Sequence, residues 1–484
     1  MLDIQKRLTN SFYALLSLPA TAMGFALSVQ ISALSWILST KYGLAIDEIG
    51  LVWAAGPIAG ILGQVIVGVI SDNVWFWNGR RRPFMFIGGV LATLMLLALP
   101  NIDVISEAMG LEGILGVAIA VALTLDLAIN VSFNPTRSVI ADVTPEGVAR
   151  TKGYTWMQTV SGTFGVLAYA IGAIWSNYVL IYFGAGLVLL FSVVPPFFIT
   201  EPRELKGASD SEAGTGGFSA GVMLRSIRPL WGFLAYGIYG LVSRVADVEV
   251  PGYAVEIVCL IATAVLIIQA LLRSEEGKSA REAGMIGFQK VLAAHSFTWV
   301  GVQTMFIYMF AFVQFRMPGL DDSDMGRVVS ISFLILNAVG ALVPVLLLEP
   351  ITERIGRVKT HLASLFLMAA AYLGIALAGS SATVIYVLMG VAGIGWGAIV
   401  SLPFAIMSVK VDQSRMGLYM GLFNLSVVLP QLVASLGIGA WVNVAPNKTL
   451  IFMICAGTLA VSAVSWMLVR ENTDEATAHA KDVS

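Results

Sequence analysis

Residues 112–135 read EGILGVAIAVALTLDLAINVSFNP, and from Gly113 to Leu125 they carry no charge. A stretch this long and apolar matches the ~20 residues that a helix needs to cross a ~30 Å hydrocarbon layer. It is too long for one of the ~10-residue alternating strands of a membrane barrel. Asp126, Asn130, Asn134 and Arg137 recur at intervals of four, four and three, so they share one helical face. Lipid does not tolerate such a polar stripe, and the face is expected to line a central cavity. Asp126 lies ~20 Å along the helix from Gly113 and is therefore deep in the layer. Arg137 falls ~16 Å further on, out of reach of Asp126, and is expected at a cytoplasmic gate with Asp142.

The rest of the chain repeats this pattern. Of 484 residues 57% are apolar and 12% charged, and the mean hydropathy is +0.84. No soluble fold hides that much apolar surface. Six spans are expected near about 11–40, 48–71, 83–100, 112–135, 153–174 and 178–199. Six more follow near about 295–317, 329–348, 361–379, 382–408, 416–440 and 448–470. Between the halves a polar stretch precedes two further apolar segments, near 229–246 and 252–272, with basic residues on both sides. This pair is expected to cross out and return, giving about fourteen spans, the other reading being an interfacial hairpin, which the Gly-rich first member with Arg244 would suit. The organisation is then a six-helix half over 1–200, a linker with an inserted hairpin over 201–290, a second six-helix half over 291–472 and a tail over 473–484.

Basic residues set the orientation. Arg80 to Arg82, Arg150 with Lys152, and Arg354, Arg357 and Lys359 fall in loops of one parity, which are cytoplasmic, and both chain ends lie on that side. Lys6 and Arg7 stand before a retained first span rather than a cleaved signal. A net charge of -2 gives no reason to expect nucleic acid. Cys259 and Cys455 sit in apolar stretches, and His295, His361 and His479 show no ligand spacing, so neither a metal nor another cofactor is expected.

An internal repeat lies in two basic loops. Asp72 precedes Gly79-Arg80 by the interval at which Glu349 precedes Gly356-Arg357. An acid at a helix end followed by a Gly-Arg turn can act as a latch, with Arg81 in the same cluster. Gly68-Val-Ile-Ser-Asp72 with Gly79-Arg-Arg-Arg-Pro-Phe84 resembles the signature loop of the glycoside and sucrose proton symporters. Asp126, Asn130, Pro135, Arg137 and Asp142 have spacings similar to that family's, as do Ser401-Leu-Pro-Phe404 and Met416 to Asn424 with Pro430-Gln431. The resemblance covers both halves. It implies an all-α membrane protein with the major facilitator fold, carrying a small sugar such as sucrose or maltose together with a proton across the inner membrane. The inserted pair departs from the family's usual twelve-span plan.

On the residues alone, Gln30, Gln158, Gln303, Asn337 and Asn424 are amides on other spans that can meet the stripe, and amides suit hydroxyl-rich ligands. Each can equally make an interhelical hydrogen bond. Trp156, Trp299 and Trp396 can stack on the apolar face of a sugar while offering an indole donor. Asp126 is the expected carrier of the coupling proton. The partners expected are thus a sugar, a proton and the bilayer, with the chain acting as a monomer. Two other readings are an antiporter for drugs or organic ions, whose cavity would be more apolar, and a non-transporting relative serving as sensor or assembly factor. An enzyme is least in keeping with the sequence, which shows no nucleophile-base or metal constellation.

Overall fold

The computed structural model describes residues 3–60, 74–145, 148–203, 220–245, 252–411 and 416–471. Among these residues the chain is helical apart from short turns, and its only bridge pairs Phe76 with Gly79. It falls into two compact units, 1–216 with 319–334, and 217–318 with 335–484. Eleven helices among the described residues are long and apolar enough to cross a membrane, so the protein is a multi-pass membrane protein.

The first unit holds α1 (Asn10–Thr40), α2 (Ile46–Trp53), α3 (Arg82–Ala98), α4 (Ile102–Ala108), α5 (Leu115–Val143), α6 (Val148–Ile174) and α7 (Asn177–Phe198). Polar caps start these helices where the chain leaves an extended turn. Thr9 accepts the amide of Phe12 at the head of α1, and Ser176 accepts that of Val179 at the head of α7. At one end of the unit, Phe12, Leu16, Met85, Val139, Ile140 and Ile199 pack α1, α3 and α5 into one core. Prolines at 19, 135, 195 and 196 lie inside helices. Membrane helices tolerate them where neighbours satisfy the freed carbonyls.

The second unit holds α8 (Ala220–Ser226), α9 (Trp231–Val245), α10 (Ala254–Leu272), α11 (Ala280–Arg316), α12 (Asp322–Val343), α13 (Glu349–Ile355), α14 (Arg357–Ala378), α15 (Ala382–Ser408), α16 (Met416–Val433), α17 (Gly439–Val444) and α18 (Leu450–Trp466). The unit boundary falls within α12. Helix α11 is the spine: it runs 37 residues and is buried on every side from Ile286 to Val313. The sequence places the corresponding span at about 295–317, because Gln289 and Lys290 read as a polar end. Both are buried, and their polar ends are met. Gln289 accepts from Arg273 at 3.1 Å and donates to the carbonyl of Arg225 at 2.8 Å, while Lys290 pairs with Glu275 at 3.0 Å.

The same contacts join the inserted segment to the second unit. Tyr236 and Gly237 of α9 lie against Gly437 and Leu432, and Gly232 lets α9 approach Thr263 of α10. Helix α10 is 19 residues and apolar enough to span, whereas α9 is 15 residues. Ile257, Val258, Leu260 and Ile261 point outward from α10. In lipid such a face needs no cover.

Candidate functional site

In the first unit Asp126 of α5 faces Gln30 of α1 and the backbone at Gly56. Asp126 is 5% exposed. Its Oδ2 accepts the side-chain amide of Gln30 on α1 at 2.9 Å. A Cβ at Gly56, in the helical residues 55–60, would stand 3.4 Å from the same oxygen, so this stretch of backbone packs directly against the carboxyl. The other end of the Gln30 amide, Oε1, is buried and has no partner among the described residues. No Lys, Arg or His among the described residues forms an ion pair with Asp126. A buried carboxyl held by one neutral amide carries the full cost of its charge whenever the site is closed to water, and loses that cost on taking up a proton. Asn130 donates to the main-chain oxygen of Asp126 at 2.8 Å. It therefore supports the helix as well as the stripe.

In the second unit four helices converge on an aromatic and amide cluster. Trp299 of α11 and Trp396 of α15 meet edge to face at 6.2 Å and 78°, and Phe306 packs on Trp396 at 5.5 Å. The indole of Trp299 donates to His295 at 2.9 Å, and that of Trp396 donates to Asn337 of α12 at 3.2 Å. Gln303 accepts from Gln431 of α16 at 3.1 Å. Two of the three expected indole donors, those of Trp299 and Trp396, are thus engaged within the protein, and what these two leave to a ligand is their ring faces. Asn424 is half-buried on α16.

The two Gly-Arg turns show a repeat the sequence half reveals. The Glu201 carboxylate, just past the end of α7, accepts the main-chain N–H groups of Arg80, Arg81 and Arg82 at 2.7, 2.8 and 2.8 Å. Glu471, past the end of α18, accepts those of Arg357 and Val358 at 2.7 and 3.1 Å. A carboxylate at a helix start meets both the orphan donors and the positive end of the dipole. Each turn needs glycine for this approach. A Cβ on Gly79 would lie 2.9 Å from Glu201, and one on Gly356, whose φ is +90°, would lie 2.5 Å from Glu471.

The remaining candidates make contacts apart from the expected latch. Asp142 pairs with Arg81 at 3.1 Å, both side chains being nearly buried, rather than with Arg137. The Arg137 guanidinium lies 5.2 Å over the ring of Phe133, one turn earlier on α5. Arg80 reaches the carbonyl of Arg203. Asp72 lies outside the described residues, as do the side chains of Asn134 and Glu349. On α6 Trp156 is half-buried and Gln158 exposed. Glu201, Glu471 and His295 are absent from the sequence-derived set. The acids fall outside it because each acts on a loop more than a hundred residues away. The histidine falls outside because a span beginning near 295 puts it at a helix end, when it sits well inside α11.

The Major Facilitator Superfamily model matches residues 16–435. The general alpha-glucoside permease of Schizosaccharomyces pombe is 29% identical over 174 residues, which is 32% of this chain and 31% of that protein. The sucrose transport protein SUC4 of Arabidopsis thaliana is 24% identical over 466 residues, 87% of this chain and 82% of its own. Among solved structures, the nucleoside transporter NupG superposes with a TM-score of 0.61 at 12% identity, over 95% of this chain and 99% of that one. The peptide transporter POT in complex with sulfate gives 0.62 at 14%, over 94% and 93%. At these identities the structures speak for the fold alone. Each of the four is named a permease or transporter, none an enzyme.

Proposed function

From the membership of this chain in the Major Facilitator Superfamily, to which it belongs, we infer that it is a proton-coupled symporter for a glucoside such as sucrose or maltose. It works by alternating access in a cell inner membrane, as a monomer with both ends in the cytoplasm. The sugar class comes from the glucoside and sucrose relatives, whose aligned portions differ in extent. The coupling ion comes from one observation, the buried Asp126 carboxyl held, among the described residues, by Gln30 alone.

A sealed site penalises the charged carboxylate, so the loaded carrier closes on the protonated form. The proton leaves when the site reaches water on the far side, and net symport requires the empty carrier to return without it, with water kept at the carboxylate through that step. In the second unit, sugar hydroxyls can bond to the amides of Gln303 and Asn424, and ring faces pack on Trp299 and Trp396. Gating is served by Arg80, Arg81, Arg137 and Asp142 in the first unit and by Arg357 in the second. Asp126→Asn tests the coupling step. In proteoliposomes the variant should lose accumulation driven by an inward proton gradient and keep counterflow of labelled sugar. Accumulation retained per correctly inserted molecule would sink the role of Asp126, and a wild-type protein that moves no mono- or disaccharide would sink the sugar class.

A further inference from the structure

His295 is 2% exposed on α11 and takes no part in the transport scheme above. Its ring stacks on Phe423 of α16 with centroids 4.9 Å apart and planes 16° from parallel. Its Nε2 accepts the indole N–H of Trp299, one helical turn on, at 2.9 Å. A ring nitrogen that accepts is unprotonated, so this imidazole is the neutral tautomer with its hydrogen on Nδ1. An indole has one polar hydrogen, and for Trp299 it is used here. Trp396 spends its own on Asn337. Both indoles are half-buried, and with their donors satisfied they offer a ligand carbon faces rather than hydrogen bonds.

We propose that His295 is a positioning residue: by accepting the Trp299 indole N–H while clamped on Phe423, it fixes that ring so that its face, beside Trp396, receives the C–H face of a pyranose ring. The inference rests on the sugar reading. Trp299 otherwise turns about two side-chain torsions, and a ligand would have to immobilise it on binding. A ring already held loses nothing further, so the bond acts on affinity rather than on turnover. The chemistry favours hexopyranosides with an uninterrupted apolar ring face over ligands that need an indole donor.

Two variants separate positioning from packing. His295→Phe keeps an aromatic ring on Phe423 and removes the acceptor, whereas His295→Gln restores an acceptor without the ring. In proteoliposomes H295F should raise the sugar KM ~10-fold, the size expected from releasing one side chain, and leave kcat within about two-fold. H295Q should return KM to within about three-fold of wild type, and H295F should add nothing in a W299F background. A second readout needs no sugar: the indole N–H resonance of Trp299 in nitrogen-15 tryptophan-labelled protein, assigned by its loss in W299F, should move in H295F and move back in H295Q. Wild-type KM and an unmoved resonance in H295F would overturn the proposal, as would equal damage in both variants with the resonance unmoved. If the wild-type protein transports no sugar, the sugar reading fails on that result alone. The resonance still reports whether His295 holds the indole.

Discussion

The two Gly-Arg turns have the same cap in different surroundings. At residues 79–82 the carboxylate of Glu201 is 7% exposed, and the neighbouring Arg81–Asp142 pair has side chains only 7% and 11% exposed. At residues 356–358 Glu471 is exposed, and the ion pair beside it, Arg470 with Glu276, has side chains 52% and 73% exposed. The backbone geometry repeats because a helix start always presents unpaired N–H groups. The energetics do not repeat, because burial decides how much a charge contributes. The first turn is therefore the stiff one, and the second is the cheaper to open.

Breaking the buried pair should give the largest difference. Asp142→Asn takes one carboxylate charge away from the nearly buried Arg81 guanidinium and should destabilise the detergent-solubilised protein by about 3 kcal/mol, read as a lowered thermal unfolding midpoint. A midpoint equal to wild type would mean that water reaches the pair. The caps come next. Glu201→Gln exchanges three charge-assisted hydrogen bonds in a buried setting for neutral ones and should cost about 1 to 2 kcal/mol. The same exchange at Glu471 should cost roughly 0.5 kcal/mol, since water can replace what is lost. Equal losses at the two acids would show that burial does not separate the turns.

The smallest effect belongs to Glu276, whose carboxyl Arg470 holds below its ordinary range through a direct hydrogen bond. Glu276→Gln should leave the unfolding midpoint within error at neutral pH and moderate salt. The sign of its pH dependence follows from the lowered value. Whatever the pair contributes is present above the ordinary carboxylate range and fades as acid titrates Glu276. A stability difference between variant and wild type that grew on acidification would contradict this.

Much of the helical architecture was legible in the sequence because lipid imposes a strict code: spans must be long, apolar and helical. The place of Asp126 inside α5 followed from a count of residues along one helix. The boundary of α11 did not, since Gln289 and Lys290 read as a helix end until Arg225, Arg273 and Glu275 are seen to meet them. That single misplacement hid His295.

What the sequence determined by itself, then, is an all-helical membrane chain with a deep acid on a polar stripe and a repeated Gly-Arg turn, because each of these is a local pattern of spacing and hydropathy. Only the tertiary structure decided which partner each polar group takes. Gln30 rather than Asn130 binds the Asp126 carboxylate, Arg81 rather than Arg137 binds Asp142, and Glu201 and Glu471 cap turns more than a hundred residues away. A buried polar group must find a partner, but periodicity along one helix carries no record of which neighbour the packing of other helices brings within three ångströms of it.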